Sequence, residues 1–336
     1  MQKAEYATRG PVPQDVIACV EFELSAPAAD EVLIEVLAAP INPSDVRSLT
    51  GQYGTLPPLP AVGGNEGLGR VAHLGAGVTR LAVGQRVLLP AGSGTWCTHM
   101  LAKASTLVPL PEAGDTLQVA MLTVNPPTAW LLLSEFVALE PGDWVIQNAA
   151  NSAVGAYLLQ IAKRRGLHTV NVVRRDTAVD AVAANTRDVV LVDGPDLAQR
   201  VAVATNNAAI KLGLDAVGGS ATDRIAQSVV VGGTVVNYGA MSGKACAIAP
   251  ASFVFRDITL RGFWLTQWFR TSTVEKRQVL FATLAQRVAS GELSTRIAAT
   301  YTLDRIAEAV AAAAAGERNG KIVLTPNPAR LTSTRP

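Results

Sequence analysis

The segment Asn148-Ala149-Ala150-Asn151-Ser152-Ala153-Val154-Gly155 follows an apolar run, Asp143-Trp144-Val145-Ile146-Gln147, and leads into a helix-like stretch, Ala156-Tyr157-Leu158-Leu159-Gln160-Ile161-Ala162. A strand, a tight turn of small residues and a helix start form an anion site, because the first backbone N–H groups of a helix lack internal partners and its dipole is positive there. A dinucleotide pyrophosphate would bind at such a turn. The next apolar run, Thr169-Val170-Asn171-Val172-Val173, ends in Arg174-Arg175-Asp176, where an NAD-binding fold usually carries a lone acid for the ribose hydroxyl. Two guanidinium groups at that point favour a 2′-phosphate, so the expected cofactor is NADPH.

The elements that must carry this turn follow from patterning. From 32 to 108 the pattern is short and β-like, punctuated by glycine and proline, with strand candidates at 32–36, 69–74 and 85–89. It predicts a small, mostly antiparallel β domain. After Pro111 helical segments lead into alternation of strands and helices, with strands expected at 144–147, 169–173, 189–192, 212–216, 234–238 and 258–262. Short apolar strands alternating with helices describe a doubly wound parallel sheet. Past Gly262 come an amphipathic stretch at 273–289, a strand at 299–303, a helix near 304–315 and a last strand at 320–324. That tail is too poor in apolar residues for its own domain and is assigned to the first. The expected organisation is therefore a first part at 1–122, a dinucleotide domain at 123–265 and a returning segment at 266–336, with 327–336 as a frayed end.

Composition bounds the rest. The chain has 336 residues, 49% of them hydrophobic and 17% charged, with a net charge of +2. This suits a compact two-domain protein and gives no reason to expect a nucleic-acid partner. No apolar run approaches the length of a membrane span, so no membrane partner is expected either. Cys19, Cys97 and Cys246 lie far apart and form no C-x-x-C pair, and only His73, His99 and His168 offer imidazoles. Free thiols and no metal site are expected. The N-terminus lacks the apolar core of a signal peptide, and Glu21, Glu23, Asp30 and Glu31 argue against a transit peptide, so the expected location is the cytoplasm.

Several motifs then converge: Ile41-Asn42-Pro43-Ser44-Asp45, Gly51-Gln52-Tyr53-Gly54, Leu59-Pro60-Ala61-Val62-Gly63-Gly64-Asn65-Glu66-Gly67, Gly94-Thr95-Trp96, Val124-Asn125-Pro126, Asn237-Tyr238-Gly239, Arg261-Gly262-Phe263-Trp264-Leu265 and Gly320-Lys321. Together with the 148–155 turn they resemble the medium-chain dehydrogenase/reductase superfamily and, more narrowly, the mitochondrial-type trans-2-enoyl thioester reductases. The resemblance implies an α/β fold: a Rossmann-type doubly wound parallel sheet plus a discontinuous, mostly β GroES-like catalytic domain. Zinc-dependent members hold their metal with a cysteine and a histidine at positions that look like Ser44 and Asn65 here. Serine and a neutral amide are poor Zn²⁺ ligands, so zinc-independent reduction of an activated double bond is expected.

The resemblance also implies site residues. Tyr53 would stabilise charge on an enoyl thioester and assist proton return, since a phenol is protonated at neutral pH and can donate. Asn125 would hold the nicotinamide side of the cofactor or the tyrosine's surroundings. Asn151, Ser152, Ala153 and Val154 would meet the pyrophosphate, with Arg174, Arg175 and Asp176 at the adenosine ribose. Tyr238, Gly239, Ala240 and Met241 would border the nicotinamide ribose, Phe263, Trp264 and Leu265 would line the cleft, and Lys321 would reach the cofactor. Trp96 reads as a packing residue. The expected substrate is a small molecule, an enoyl thioester; a quinone or small enone is the alternative, and a non-catalytic NADPH-binding regulator the second alternative. A homodimer through the edge strand 258–265 is expected, because a long apolar edge needs covering.

Overall fold

The computed structural model describes residues 1–316 and 319–328. The chain divides into two compact units, Met1–Val124 with Phe281–Pro336, and Asn125–Leu280. Of the tail expected to fray, 329–336 lie outside the described residues, while Asn327 is held: its amide donates to Val36 O at 3.0 Å and Thr98 O at 2.9 Å.

In the unit Asn125–Leu280 the described strands form one parallel sheet. Its order is Val189–Val192, His168–Val173, Trp144–Gln147, Ile210–Asp215, Thr234–Asn237 and Thr259–Gly262. The chain starts in the middle at Trp144–Gln147, winds one way and then the other. This is the doubly wound topology, with its switch point beside the first strand. Central strands are buried on both faces, which explains their unbroken apolar runs. On one face Ile146, Val170, Val172 and Val235 pack with Leu197, Val201 and Ile225 of two helices and with Val229 just past the second. On the other, Val173 packs with Ala150, Leu159 and Val182. The edge strand Thr259–Gly262 is exposed along its whole length.

The other unit is built on one long strand, Glu31–Ile41, which pairs antiparallel with Leu68–Leu74, His99–Lys103 and Lys321–Leu324. Ile297–Tyr301 adds to the returning strand in parallel, so the tail completes this sheet. Val32, Ile34 and Val36 alternate into a core closed by Trp96, Met100 and the alanine-rich helix Ile306–Ala314. Trp96 is fully buried against bare backbone: a Cβ on Gly63 would stand 2.2 Å from its ring. That close approach is what requires glycine there.

Candidate functional site

The turn after Trp144–Gln147 is shaped by its own backbone. Ala149 adopts φ 49°, a left-handed conformation costly for a residue with a side chain, and the Ala150 N–H then returns to Val172 O at 3.2 Å. Helix Ala153–Arg164 begins directly afterwards, three residues earlier than the apolar run at 156 suggests, because Ser152 caps it by accepting the Gly155 N–H at 3.1 Å. Capping consumes that donor. The N–H groups of Ala153 and Val154 at the helix tip remain aimed out of the turn, suited to a pyrophosphate. Gly155 has no room for a side chain, since a Cβ would lie 2.5 Å from Ala150 O. Asn151 is exposed at the tip of the turn.

Around the turn the C-terminal ends of the parallel strands gather the other expected residues of this unit. Arg174 and Asp176 are exposed and Arg175 is half-buried just past His168–Val173. Tyr238, Gly239, Ala240 and Met241 leave Thr234–Asn237 and are stitched to the neighbouring strand end, Tyr238 N–H to Asp215 O at 2.9 Å and Met241 N–H to Ala216 O at 3.0 Å. The Tyr238 hydroxyl is buried without a hydrogen-bond partner among the described residues, and burial, with Asp215 nearby, pushes its ionisation upward. A bound polar group would satisfy that oxygen. Phe263 is half-buried edge-on to Phe136, with centroids 5.8 Å apart, and Trp264 is partly exposed beneath the Arg270 guanidinium. Leu265 opens the short helix Leu265–Thr271. Asn125 is buried at the start of helix Asn125–Ser134.

One organising residue was not singled out from sequence. Asp215, fully buried at the end of its strand, accepts from Asn148 Nδ2 (2.6 Å), Val217 N (2.9 Å), Gly218 N (3.0 Å), Thr222 Oγ1 (2.7 Å) and Asn237 Nδ2 (3.0 Å). Asn148 in turn accepts the Ala216 N–H at 2.7 Å. This one carboxylate therefore ties the turn at 148, the strand end at 215 and the 237–241 segment together. The available signal was an acid directly after the apolar run Leu212-Gly213-Leu214.

In the other unit Tyr53 is half-buried in the loop after helix Pro43–Leu49. Gly51, at φ 74°, turns the chain out of the helix, and Gln52 N–H returns to Arg47 O at 2.8 Å. The helix start is anchored by a buried polar group. Asn42 N–H donates to Asp45 Oδ2 at 2.7 Å, Asn42 Nδ2 donates to Glu66 Oε1 at 2.7 Å, and Val124 N–H donates to Glu66 Oε2 at 2.8 Å. Lys321 lies within this group, 4% exposed, its ammonium donating to Ile41 O at 3.0 Å and to Asn42 Oδ1. Burial pushes the Asp45 and Glu66 carboxyls well above the usual range, against the pull of the Lys321 charge. Lys321 is thus an interior residue of its own unit.

The positions that hold zinc in metal-dependent relatives do not fit the metal here. Asn65 Nδ2 donates to Ser44 Oγ at 3.3 Å, so a neutral amide and a hydroxyl engage each other where thiolate and imidazole would be needed. Cys97 is buried, and burial pushes its thiol up to about 12. Among the described residues no group of three or more His, Cys, Asp and Glu is arranged to hold a metal ion.

Two family models match this chain: an alcohol dehydrogenase GroES-like domain over residues 28–112 and a zinc-binding dehydrogenase domain over residues 170–324. The mitochondrial enoyl-acyl-carrier-protein reductase of Mus musculus is 34% identical over 319 residues, 93% of this chain and 86% of that protein. The chain is a medium-chain dehydrogenase/reductase. Among solved structures, the Etr1p complex with NADP and crotonyl-CoA superposes with a TM-score of 0.86 at 26% identity, over 96% of this chain and 99% of that one. A Bacillus thuringiensis protein assigned as an NADPH:quinone reductase gives 0.87 at 28% identity, over 96% and 98%. The expected fold, a parallel Rossmann-type sheet with a separate mostly β domain, is that of these neighbours.

The expectation of a cytoplasmic protein is corrected by the same comparison. The relatives from Mus musculus, Homo sapiens and Arabidopsis thaliana are named as mitochondrial. An organelle address is carried by a segment removed from the mature chain. Acidic residues belonging to the fold, such as Glu21 in the strand Ala18–Glu21, therefore say nothing about it.

Proposed function

We propose that this dehydrogenase/reductase uses NADPH to reduce the C2=C3 double bond of trans-2-enoyl thioesters. The observation that carries the proposal is the likeness to an enoyl-acyl-carrier-protein reductase over 93% of the chain. The zinc positions filled by Ser44 and Asn65 agree with it, because such a reduction needs no Lewis acid on an alcohol.

When bound, NADPH supplies a hydride to C3 of the substrate. The chain's own residues bind it: Ala153 and Val154 N–H groups and the Asn151-Ser152 turn at the pyrophosphate, Arg174 and Arg175 at the 2′-phosphate with Asp176 beside them, and Tyr238, Gly239, Ala240 and Met241 along the nicotinamide ribose. Phe263, Trp264 and Leu265 shield that end from water. As negative charge develops on the thioester oxygen, the Tyr53 hydroxyl donates to it and assists delivery of a proton to C2. Asn125 orients the nicotinamide end. Lys321 contributes through Asn42, whose turn sets the start of the helix leading to Tyr53.

The active form proposed is a homodimer joined along Thr259–Gly262. Exposed Phe253, Phe255, Leu260 and Trp264 on and near this edge would be covered by a second copy. Light scattering at micromolar concentration should give twice the chain mass, and a monomer there refutes it.

Quinone reduction is the second reading, favoured by the likeness to the Bacillus thuringiensis protein. Following NADPH oxidation with a crotonyl thioester, a longer enoyl thioester, a simple enone and a quinone separates the two. Turnover of the thioesters well above the quinone supports the enoyl reading, and turnover of the quinone alone overturns it.

A further inference from the structure

The strands His168–Val173 and Val189–Val192 run parallel in register, with Val173 opposite Val192. Arg174 and Asp193 therefore leave neighbouring strands side by side, about 5 Å apart along the backbone. The Asp193 N–H donates to Val173 O at 2.8 Å, which fixes that adjacency. An unpaired acid on this neighbouring strand end would repel a 2′-phosphate and could accept from a ribose hydroxyl, much as the lone acid at the end of the preceding strand does in NAD-binding folds.

Asp193 is closed off from either role. Arg224, from helix Ser220–Ser228, donates Nε to Asp193 Oδ1 at 2.6 Å and Nη2 to Oδ2 at 2.5 Å, occupying both oxygens. The remaining guanidinium arm is steadied by Ser220 Oγ at 3.0 Å. Both side chains of the pair are only about a fifth exposed, 22% and 23%, so solvent screens the carboxylate weakly. The next acid of the same loop, Asp196, is likewise paired, with Arg200 Nε at 3.1 Å. Asp193 and Asp196 are thus each matched by an arginine from a helix, while Asp176, exposed beside Arg174 and Arg175, is common to every variant compared below.

We propose that Arg224 determines cofactor specificity without touching the cofactor: its bidentate clasp removes the Asp193 charge from the wall of the 2′-phosphate site. The inference rests on the reading that Arg174 and Arg175 bind that phosphate. With Arg224 in place the edge presents net positive charge to a dianion. Without it a carboxylate stands beside the arginines, cancelling part of their field and offering an acceptor to the 2′-hydroxyl of NADH.

Titration of the full chain with NADPH and with NADH, by calorimetry or nucleotide fluorescence, tests this. Arg224→Ala should weaken NADPH about tenfold, a typical effect of an unpaired like charge, with NADH unchanged or tighter. Adding Asp193→Asn to that variant should restore NADPH affinity to within about threefold, because a neutral amide no longer opposes the phosphate. Asp193→Asn alone leaves the Arg224 charge unmatched and should tighten NADPH over NADH, and an unchanged ratio there overturns the inference even where Arg224→Ala folds poorly. Equal weakening of both nucleotides, or no rescue by Asp193→Asn, overturns the role of Arg224. The double variant Arg174→Ala/Arg175→Ala reports separately on the arginine reading: an unchanged NADPH-to-NADH ratio there refutes that reading, whereas an unchanged ratio in Arg224→Ala refutes this inference.

Discussion

Gly155→Ala places one methyl group in the part of the turn that has least room. A Cβ there would lie 2.5 Å from Ala150 O, 2.8 Å from Ala150 C and 2.9 Å from Ala149 O. All three are backbone atoms, so no side chain can rotate aside. Relief requires the turn and the tip of helix Ala153–Arg164 to part by roughly 0.7 Å to reach a normal C···O contact of about 3.2 Å. Overpacking of this kind costs about 1–3 kcal/mol. Against it stands the helix propensity of alanine over glycine, worth up to about 1 kcal/mol in a helix interior and less near its start. The steric term wins, and a net loss of about 1–2 kcal/mol is expected. The same displacement moves the Ala153 and Val154 N–H groups and loosens the Ser152 cap, so NADPH and NADH should both weaken by about tenfold, equivalent to about 1.4 kcal/mol. This equal effect on both nucleotides distinguishes a pyrophosphate defect from a 2′-phosphate defect. The assay is urea denaturation without nucleotide, paired with titration of each nucleotide. A variant as stable as the parent, with both affinities unchanged, would refute the claim that this glycine is required by close approach.

Tyr53→Phe keeps the ring and deletes the hydroxyl; kcat for a crotonyl thioester should fall by about 100-fold or more with NADPH affinity preserved, and near-parental turnover in steady-state assays removes Tyr53 from the mechanism. Asp215→Ala strips the acceptor from five donors at once and should cost about 3–5 kcal/mol by chemical denaturation, with NADPH binding lost before the fold; a change under about 1 kcal/mol contradicts the hub described for it. Stability should also fall as pH rises from about 5 to 7, by about 1.4 kcal/mol per unit for each proton taken up on folding. The sign follows from Asp45 and Glu66, both held above their unfolded values by burial: with one carboxylate balancing Lys321, the other stays protonated when folded but ionises above about 4 when unfolded. Glu66→Gln should flatten that slope in denaturation series at several pH values, and an unaltered slope places the proton elsewhere.

Strands were readable where burial is two-sided. His168–Val173 and Trp144–Gln147 match their expected ranges to within a residue, because a central parallel strand is buried on both faces. The start of helix Ala153–Arg164 was less readable: Ala153 and Val154 are as compatible with a turn as with a helix, and the deciding contact is a hydrogen bond from Gly155 to Ser152. Buried charge was the least readable. Sequence patterning treats Asp, Glu and Lys as surface residues, which is right for most. Asp215, Glu66 and Lys321 are exceptions because their partners come from far away in the chain, 67 residues between Asn148 and Asp215 and 279 between Asn42 and Lys321.

That pattern has a physical origin bearing on how the chain works. A local motif such as strand, small turn and capped helix can bind a pyrophosphate by backbone geometry alone, so it must be written contiguously in sequence and can be found there. Fixing the helix that precedes Tyr53, or silencing an acid beside a phosphate, needs a charge delivered from another element. Lys321 reaches Asn42 from the returning tail, and Arg224 reaches Asp193 from the second helix after it in the chain. Such pairs carry their meaning only in the folded state, since each partner alone would be a penalty in the interior. The contiguous motif therefore accounts for binding a dinucleotide at all. On the reading proposed here, which dinucleotide binds and how the phenol is held depend on pairs that exist only in the folded chain.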